Sequence, residues 1–375
     1  MVRILLPVLC LLTFSLGAAD SHFLSVLANG ADFDPDKAPV CPGMEVSVIQ
    51  RPDKDFKFLH DTAVTEFKGK LYAAWYNCPE KECQVTSVIR GRVSADGGKT
   101  WSETVTMAAD ANPEWQYVPP AFARTGDNLY LLVPHHCGEG NKQTLHIFKL
   151  DESSGKWNFH RELPTAFLPN TCAETLENGT MILAGRNTLK RRPAVLIFDK
   201  GTPEGDWHEV SLDGNAQGLP PEYACPESSL TVNGNQLFCF VRCQQMITFW
   251  VYVSNDGGEN WQQKHHELPV LKSKMASGKL SDGRYYFVFN IRKYGRNRLY
   301  IAFSEKGKMK FRKFYTLRAD DDPALNAAPQ WSYPSAVEYN GKLYITCTCR
   351  DASPEYRDIV KSAAALIIIP LDKIQ

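Results

Sequence analysis

No charge of either sign is in excess in this sequence: Lys and Arg together number 42, as do Asp and Glu. A chain without a net field exerts no long-range pull on nucleic acid or an anionic membrane, which leaves only local patches for such work. Nor is there a glycine-rich phosphate loop, a Ser-His-Asp order or a stripe of interleaved basic and aromatic residues, so those chemistries have no motif behind them. Long apolar runs are equally scarce. One opens the chain, "MVRILLPVLCLLTFSLGAAD", where one Arg, an apolar stretch and then small residues give the layout of a secretory signal peptide over residues 1–19, cleaved after Ala19. It is short for a membrane span. The other, "AAALIIIPL" near the C-terminus, is far too short to span and reads as a buried strand. The expectation is an exported monomer, secreted or periplasmic, with no nucleic-acid partner and no stable membrane insertion once the leader is removed.

Zinc spacing is missing too. Without Cys10, ten cysteines remain, at 41, 78, 83, 137, 172, 225, 239, 243, 347 and 349. The C-x-C at 347 and the C-x3-C at 239 lie in strand-like apolar sequence with no His nearby, which favours bridges or buried thiols over metal. Cys78 and Cys83 share one loop and make the easiest bridge to expect in an exported protein. The sequence calls for no metal and no cofactor.

What is there is a repeat. "SADGGKTWSE" at 94 returns as "SNDGGENWQQ" at 254, and both fit S-x-D-x-G-x-x-W. Six longer segments share a second design: a polar or small start, alternating residues, a Gly-containing turn, then an apolar strand. They include "HDTAVTEFKGKLYAAWYN", "CPESSLTVNGNQLFCFVRC" and "SYPSAVEYNGKLYITCTCR", with turn glycines at 69, 126, 179, 234, 283 and 341. Successive intervals are 57, 53, 55, 49 and 58 residues, and an aromatic follows in phase at Trp101, Trp157, Trp207, Trp261 and Phe311. Asn-Gly and Asp-Gly turns between apolar strands are hairpins. A period near fifty residues holding four strands is a propeller blade, so the chain reads as an all-β, six-bladed β-propeller of four-stranded antiparallel blades over 44–375, preceded by an extension at 20–43. Within the box, one carboxylate per turn is too few for calcium, and Asp96 and Asp256 are expected to accept backbone N–H groups instead. A ring buries its edges only when its ends meet, so "MEVSVIQ" at 44–50 should share a blade with "AAALIIIPL".

Ligands of propellers bind where the innermost strands begin and end. The repeat puts His60, Asp61, Asn170, Glu227 and Tyr333 at strand starts, and His135, Arg186, Arg242 and Arg350 at the far ends of the strands that follow. Acid, phenol, imidazole and guanidinium groups facing one axis suit an anionic, oxygen-rich ligand.

These boxes on a six-bladed plan resemble the sialidase (neuraminidase) superfamily, in its Asp-box or BNR-repeat branch, across nearly the whole mature chain. In "CPESSLTVNGNQLFCFVR" the resemblance implies Glu227 as catalytic Glu and Arg242 as a carboxylate-binding Arg. "SYPSAVEYNGKLYI" is similar to the last-blade segment that carries the Tyr nucleophile, which implies Tyr333. "GRNRLYIAFS" is similar to the segment of another binding Arg, Arg298, with Arg296 as rival. The chemistry implied is that of an exo-acting glycoside hydrolase. A sialic acid bears its carboxylate on the anomeric carbon and repels an acidic nucleophile; a phenol relieved of its proton by Glu avoids that repulsion. Two departures stand out. The first inner strand reads "FLHDTAV", with His60 and Asp61 where the superfamily has Arg-Ile-Pro. The usual acid/base Asp lies in the loop after the first hairpin, where this chain reads "NCPEKECQ", which leaves Glu80, Glu82, Asp61 or no residue at all for that role. The expected site is therefore Tyr333, Glu227 and Asp61 as catalytic groups, with Arg242, Arg298, His60 and Arg186 binding an acidic glycan. A uronate-directed polysaccharide lyase and a glycan-binding propeller without catalysis are the alternatives.

Overall fold

The computed structural model describes residues 23–31, 33–137, 142–214, 225–242, 249–270, 273–318, 329–351 and 362–374. The expected signal peptide and Cys243 lie outside the described residues. Lys68-Gly69 and Asn340-Gly341 each place both residues at positive φ, between 47° and 79°, which is the two-residue turn that matches strand twist. Gly179, Gly234 and Gly283 also take positive φ. Gly126 does not; there the turn closes through Thr125 N donating to Asn128 O at 2.9 Å.

Six antiparallel sheets follow, one per hairpin. The first runs from an inner strand Phe58–Phe67 through Lys70–Cys78 and Val88–Ser94 to Val105–Ala108. The fourth and fifth begin at Glu227–Asn233 and Ala276–Lys279. In the second blade the inner strand is split into Trp115–Tyr117 and Ala121–Arg124. Pro119 and Pro120 fall in the gap, and proline has no N–H for the ladder. The sixth blade has the order Pro329–Tyr339, Lys342–Asp351, Ser362–Pro370, Glu45–Gln50, with Glu45 opposite Ile368. N- and C-terminal strands thus share a blade, as ring closure requires.

The core lies between neighbouring sheets. Leu299, Ile301, Trp331, Ile345 and Ile367 fill the space between the fifth and sixth blades and are almost wholly buried; each such side chain contributes roughly 1.5–3 kcal/mol. Sheets covered on both faces need apolar residues at successive positions, which explains the unbroken run in "AAALIIIPL". The two boxes close alike. Asp96 accepts from Thr100 N at 2.9 Å and Ser94 Oγ at 2.8 Å; Asp256 accepts from Asn260 N at 3.0 Å and Ser254 Oγ at 2.8 Å. Hydrogen bonds led by the Thr100 hydroxyl draw the Asp96 carboxyl down to about 2. Trp261 folds back, donating to Gly258 O at 2.8 Å.

The N-terminal extension straps the outer edges of the fourth and fifth blades. Phe23, Leu27 and Val40 bridge in parallel to His265, Phe311 and Thr316. Glu267 accepts from Val26 N and Leu27 N at 2.9 and 2.7 Å, and Phe33 sits against Phe289, Tyr300 and Phe314. The edges are covered rather than left as templates. The expected Cys78–Cys83 bridge is absent: both thiols are free. Cys78 is buried among Phe58, Tyr76 and Ile89, which pushes its thiol up to about 12, while Cys83 is exposed.

Candidate functional site

The inner strands of the first and sixth blades each carry one extra residue at the same level. Pairing jumps from His60↔Tyr76 to Ala63↔Ala74, and from Ser332↔Thr348 to Ser335↔Thr346. The bulged residues, Asp61 and Tyr333, take φ of 48° and 57°. Positive φ is unfavourable for a bulky non-glycine residue, about 1–3 kcal/mol, and such strain gathers at functional sites. Bulges re-aim side chains, and here hydroxyls hold them: Thr348 Oγ1 accepts from Asp61 N at 3.1 Å and Ser335 Oγ from Val64 N at 3.3 Å.

Tyr333 Oη donates to Glu227 Oε1 at 3.0 Å, although 106 residues separate them. Arg242 Nη1 donates to Tyr333 Oη at 2.8 Å and also to Glu227 Oε2. Arg186 Nη1 lies 3.9 Å from Glu227 Oε1 and donates to Pro226 O at 3.2 Å. The Arg296 guanidinium stands 5.1 Å from the centre of the Tyr333 ring, and the His60 ring meets it edge-on at 4.1 Å. These groups line a cavity of about 330 Å³ on the propeller axis, with Glu82, Cys83, Cys225, Ser332, Thr348 and Arg350. Burial and then the Glu227 charge raise the Tyr333 phenol above its usual value, against the pull of Arg242 and Arg296. Burial acts to raise Glu227 as well, but the charges of Arg242 and Arg186 outweigh it and hold that carboxyl below the ordinary range. Burial drives His60 well below its usual value, helped by Arg296, Lys274, Arg350 and Arg242, so its imidazole is neutral. A neutral phenol beside an ionised carboxylate is an arrangement in which the carboxylate can take the phenol's proton.

Two of the expected residues fall elsewhere. Asp61 does not line the cavity; its bulge turns the carboxylate beneath the floor into a buried ion pair with Lys274. Arg298 packs its guanidinium 4.0 Å from the Tyr294 ring, while Arg296, two residues earlier on the same strand, is the one at the cavity. Glu80 turns to Lys57 at 3.4 Å, whereas Glu82 stands at the cavity with Oε1 3.9 Å from His60 Nε2. Lys274 had no signal in the repeat, since it precedes the fifth hairpin in "LKSKMASG".

The sequence matches the family model for the BNR repeat-like domain over residues 69–345. The chain belongs to that family, within the sialidase-like Asp-box superfamily. Its fold is similar to a mutant Trypanosoma rangeli sialidase displaying trans-sialidase activity, at 14% identity and TM-score 0.66 over 90% of this chain and 60% of that one. The T. rangeli sialidase with 2,3-difluorosialic acid, a covalent intermediate, gives 13% and 0.65 over 90% and 60%. The leech intramolecular trans-sialidase gives 10% and 0.67 over 88% and 70%. At such identities the likeness shows the fold, and the chain spans about 60% of the length of the trypanosomal proteins. No curated protein matches the sequence.

Proposed function

We propose that this family member is an exo-acting, sialidase-like glycoside hydrolase that releases an acidic terminal sugar with retention of configuration. The observation that supports this best is the Tyr333–Glu227–Arg242 contact, three groups from two distant blades sharing hydrogen bonds at one cavity. Arginines take the sugar's carboxylate, with Arg296 and Arg242 beside Tyr333. Glu227 takes the phenol's proton as the oxygen attacks the anomeric carbon, and Arg242 Nη1 stabilises the developing phenolate. Glu82, at the cavity and close to His60, serves as the acid that protonates the leaving oxygen and then as the base that activates water. The products are the free acidic sugar and the shortened glycan. An exported enzyme meeting surface or extracellular glycans fits the leader-like N-terminus.

The test is turnover of a fluorogenic 4-methylumbelliferyl sialoside between acid and neutral pH. Hydrolysis is expected, with Tyr333→Phe and Glu227→Gln each losing on the order of 10²–10⁴ in rate. Absence of turnover across that range sinks the sialoside assignment. A second reading rests on His60, whose neutral imidazole beside an arginine-held carboxylate suits proton removal from a uronate. An unsaturated, ultraviolet-absorbing product from uronate polymers would mark that lyase reaction.

A further inference from the structure

The cavity holds more positive charge than one carboxylate needs. Among the described residues, Arg186, Arg242, Arg296 and Arg350 line the cavity with Glu227 and Glu82, four guanidinium groups against two carboxyl groups. His60 adds none. The four arginines also differ in kind. Arg242 and Arg186 are drawn to Glu227. Among the described residues, no side chain or carbonyl accepts a hydrogen bond or ion pair from the guanidinium of Arg296 or Arg350, the former lying over the Tyr333 ring. Half-buried cations without counter-charge raise the energy of the empty site, and anions arriving there are bound more tightly for it.

Arg350 has a built surround. It stands opposite Gln330 on the same strand pair that sets Ser332 opposite Thr348. Ser332 and Thr348 are 2% and 1% exposed, and both residues line the cavity. Because Thr348 Oγ1 already accepts from Asp61 N, its proton remains to be donated to a ligand. Arg350 and these two residues, neighbours on one strand pair, offer a guanidinium and two hydroxyls for a second anion at the same cavity. A cavity of about 330 Å³ is at the small end of ligand sites and suits one sugar ring.

We infer that the terminal sugar taken here is a dianion, carrying a carboxylate and a second anionic group such as a sulfate ester, the second held by Arg350, Thr348 and Ser332. This rests on the glycosidase reading of the cavity and narrows its substrate class. It goes beyond that reading because a plain sialic acid has a single negative charge and leaves Arg350 unused.

The experiment is calorimetric binding at fixed ionic strength, using N-acetylneuraminic acid and its 4-, 8- and 9-O-sulfated forms, with sodium sulfate alone as a control. At least one sulfated sugar should bind about tenfold more tightly than the parent. Arg350→Gln should erase that difference, and Arg350→Lys should restore part of it. Unfolding midpoints confirm that each variant is folded. If the parent sugar binds and no sulfated form exceeds it, the dianion inference falls while the glycosidase reading stands. A preference that survives Arg350→Gln overturns the assignment of the seat. If no sugar binds and no sialoside is turned over, the reading and the inference fall together.

Discussion

Replacing Lys274 with Met removes the ammonium that pairs with Asp61 beneath Tyr333. The two residues are 4% and 3% exposed, so water cannot substitute for the lost partner. Burial raises the Asp61 carboxyl from 3.8 to about 6 even though the charge and hydrogen bond of Lys274 pull it down. A carboxyl raised in the folded state contributes its stability fully below the unfolded value and loses it as pH climbs through the folded value. In the wild type that loss runs from about 4 to about 6 and then stops. Without the ammonium the folded value rises further, so the loss continues above 6. There the folded variant keeps a proton that the unfolded chain has released, a slope of about 1.4 kcal/mol per pH unit. Between about pH 6.5 and 8 the variant should lose roughly 2 kcal/mol relative to wild type. Urea midpoints at half-unit pH steps measure it, and adding Asp61→Asn should flatten the extra slope. Parallel pH profiles for wild type and Lys274→Met would refute the buried pair as drawn.

Asp256→Ala loses the bonds from Asn260 and Ser254, about 1–3 kcal/mol. It should lower the melting temperature while leaving turnover per folded molecule unchanged; the reverse pattern would contradict a structural box. Gly258→Ala combines a φ of 101° with a Cβ only 2.7 Å from Ile182 Cδ1. It should destabilise the same blade by about 1–3 kcal/mol or more, read by the same melt. Glu267→Ala removes the acceptor for Val26 N and Leu27 N, so limited proteolysis should cut the extension faster than in wild type. With Glu227 held below its ordinary 4.5, the acid limb of kcat/KM should lie below that value and vanish in Glu227→Gln.

The ring was legible because its turns are chemical: Asn-Gly pairs and S-x-D-x-G boxes recur at one period, and an unpaired sheet edge forces the ends together. Tyr333, Glu227 and Arg242 were legible because strand starts and ends stay in phase with those turns. Asp61 was misjudged because one inserted residue changes which way a side chain points without disturbing the repeat. Arg296 and Arg298 are two residues apart on one strand, so sequence alternation cannot separate them, and the pairing register slips just where they lie. Lys274 lies outside every repeated segment, and its burial depends on blades far away in sequence. Cys78 and Cys83 share a loop, but closeness in sequence says nothing about which thiol enters the core.

The claim on which everything else turns is that Tyr333 is the nucleophile. Incubation with 2,3-difluorosialic acid, which slows release of the glycosyl enzyme, followed by digestion and peptide mass mapping, tests it without reliance on rates. The account predicts one sugar adduct, on the peptide that carries Tyr333, absent from Tyr333→Phe and much reduced in Glu227→Gln. An adduct on any other residue, or steady turnover of the fluorogenic sialoside with no adduct at all, would contradict it.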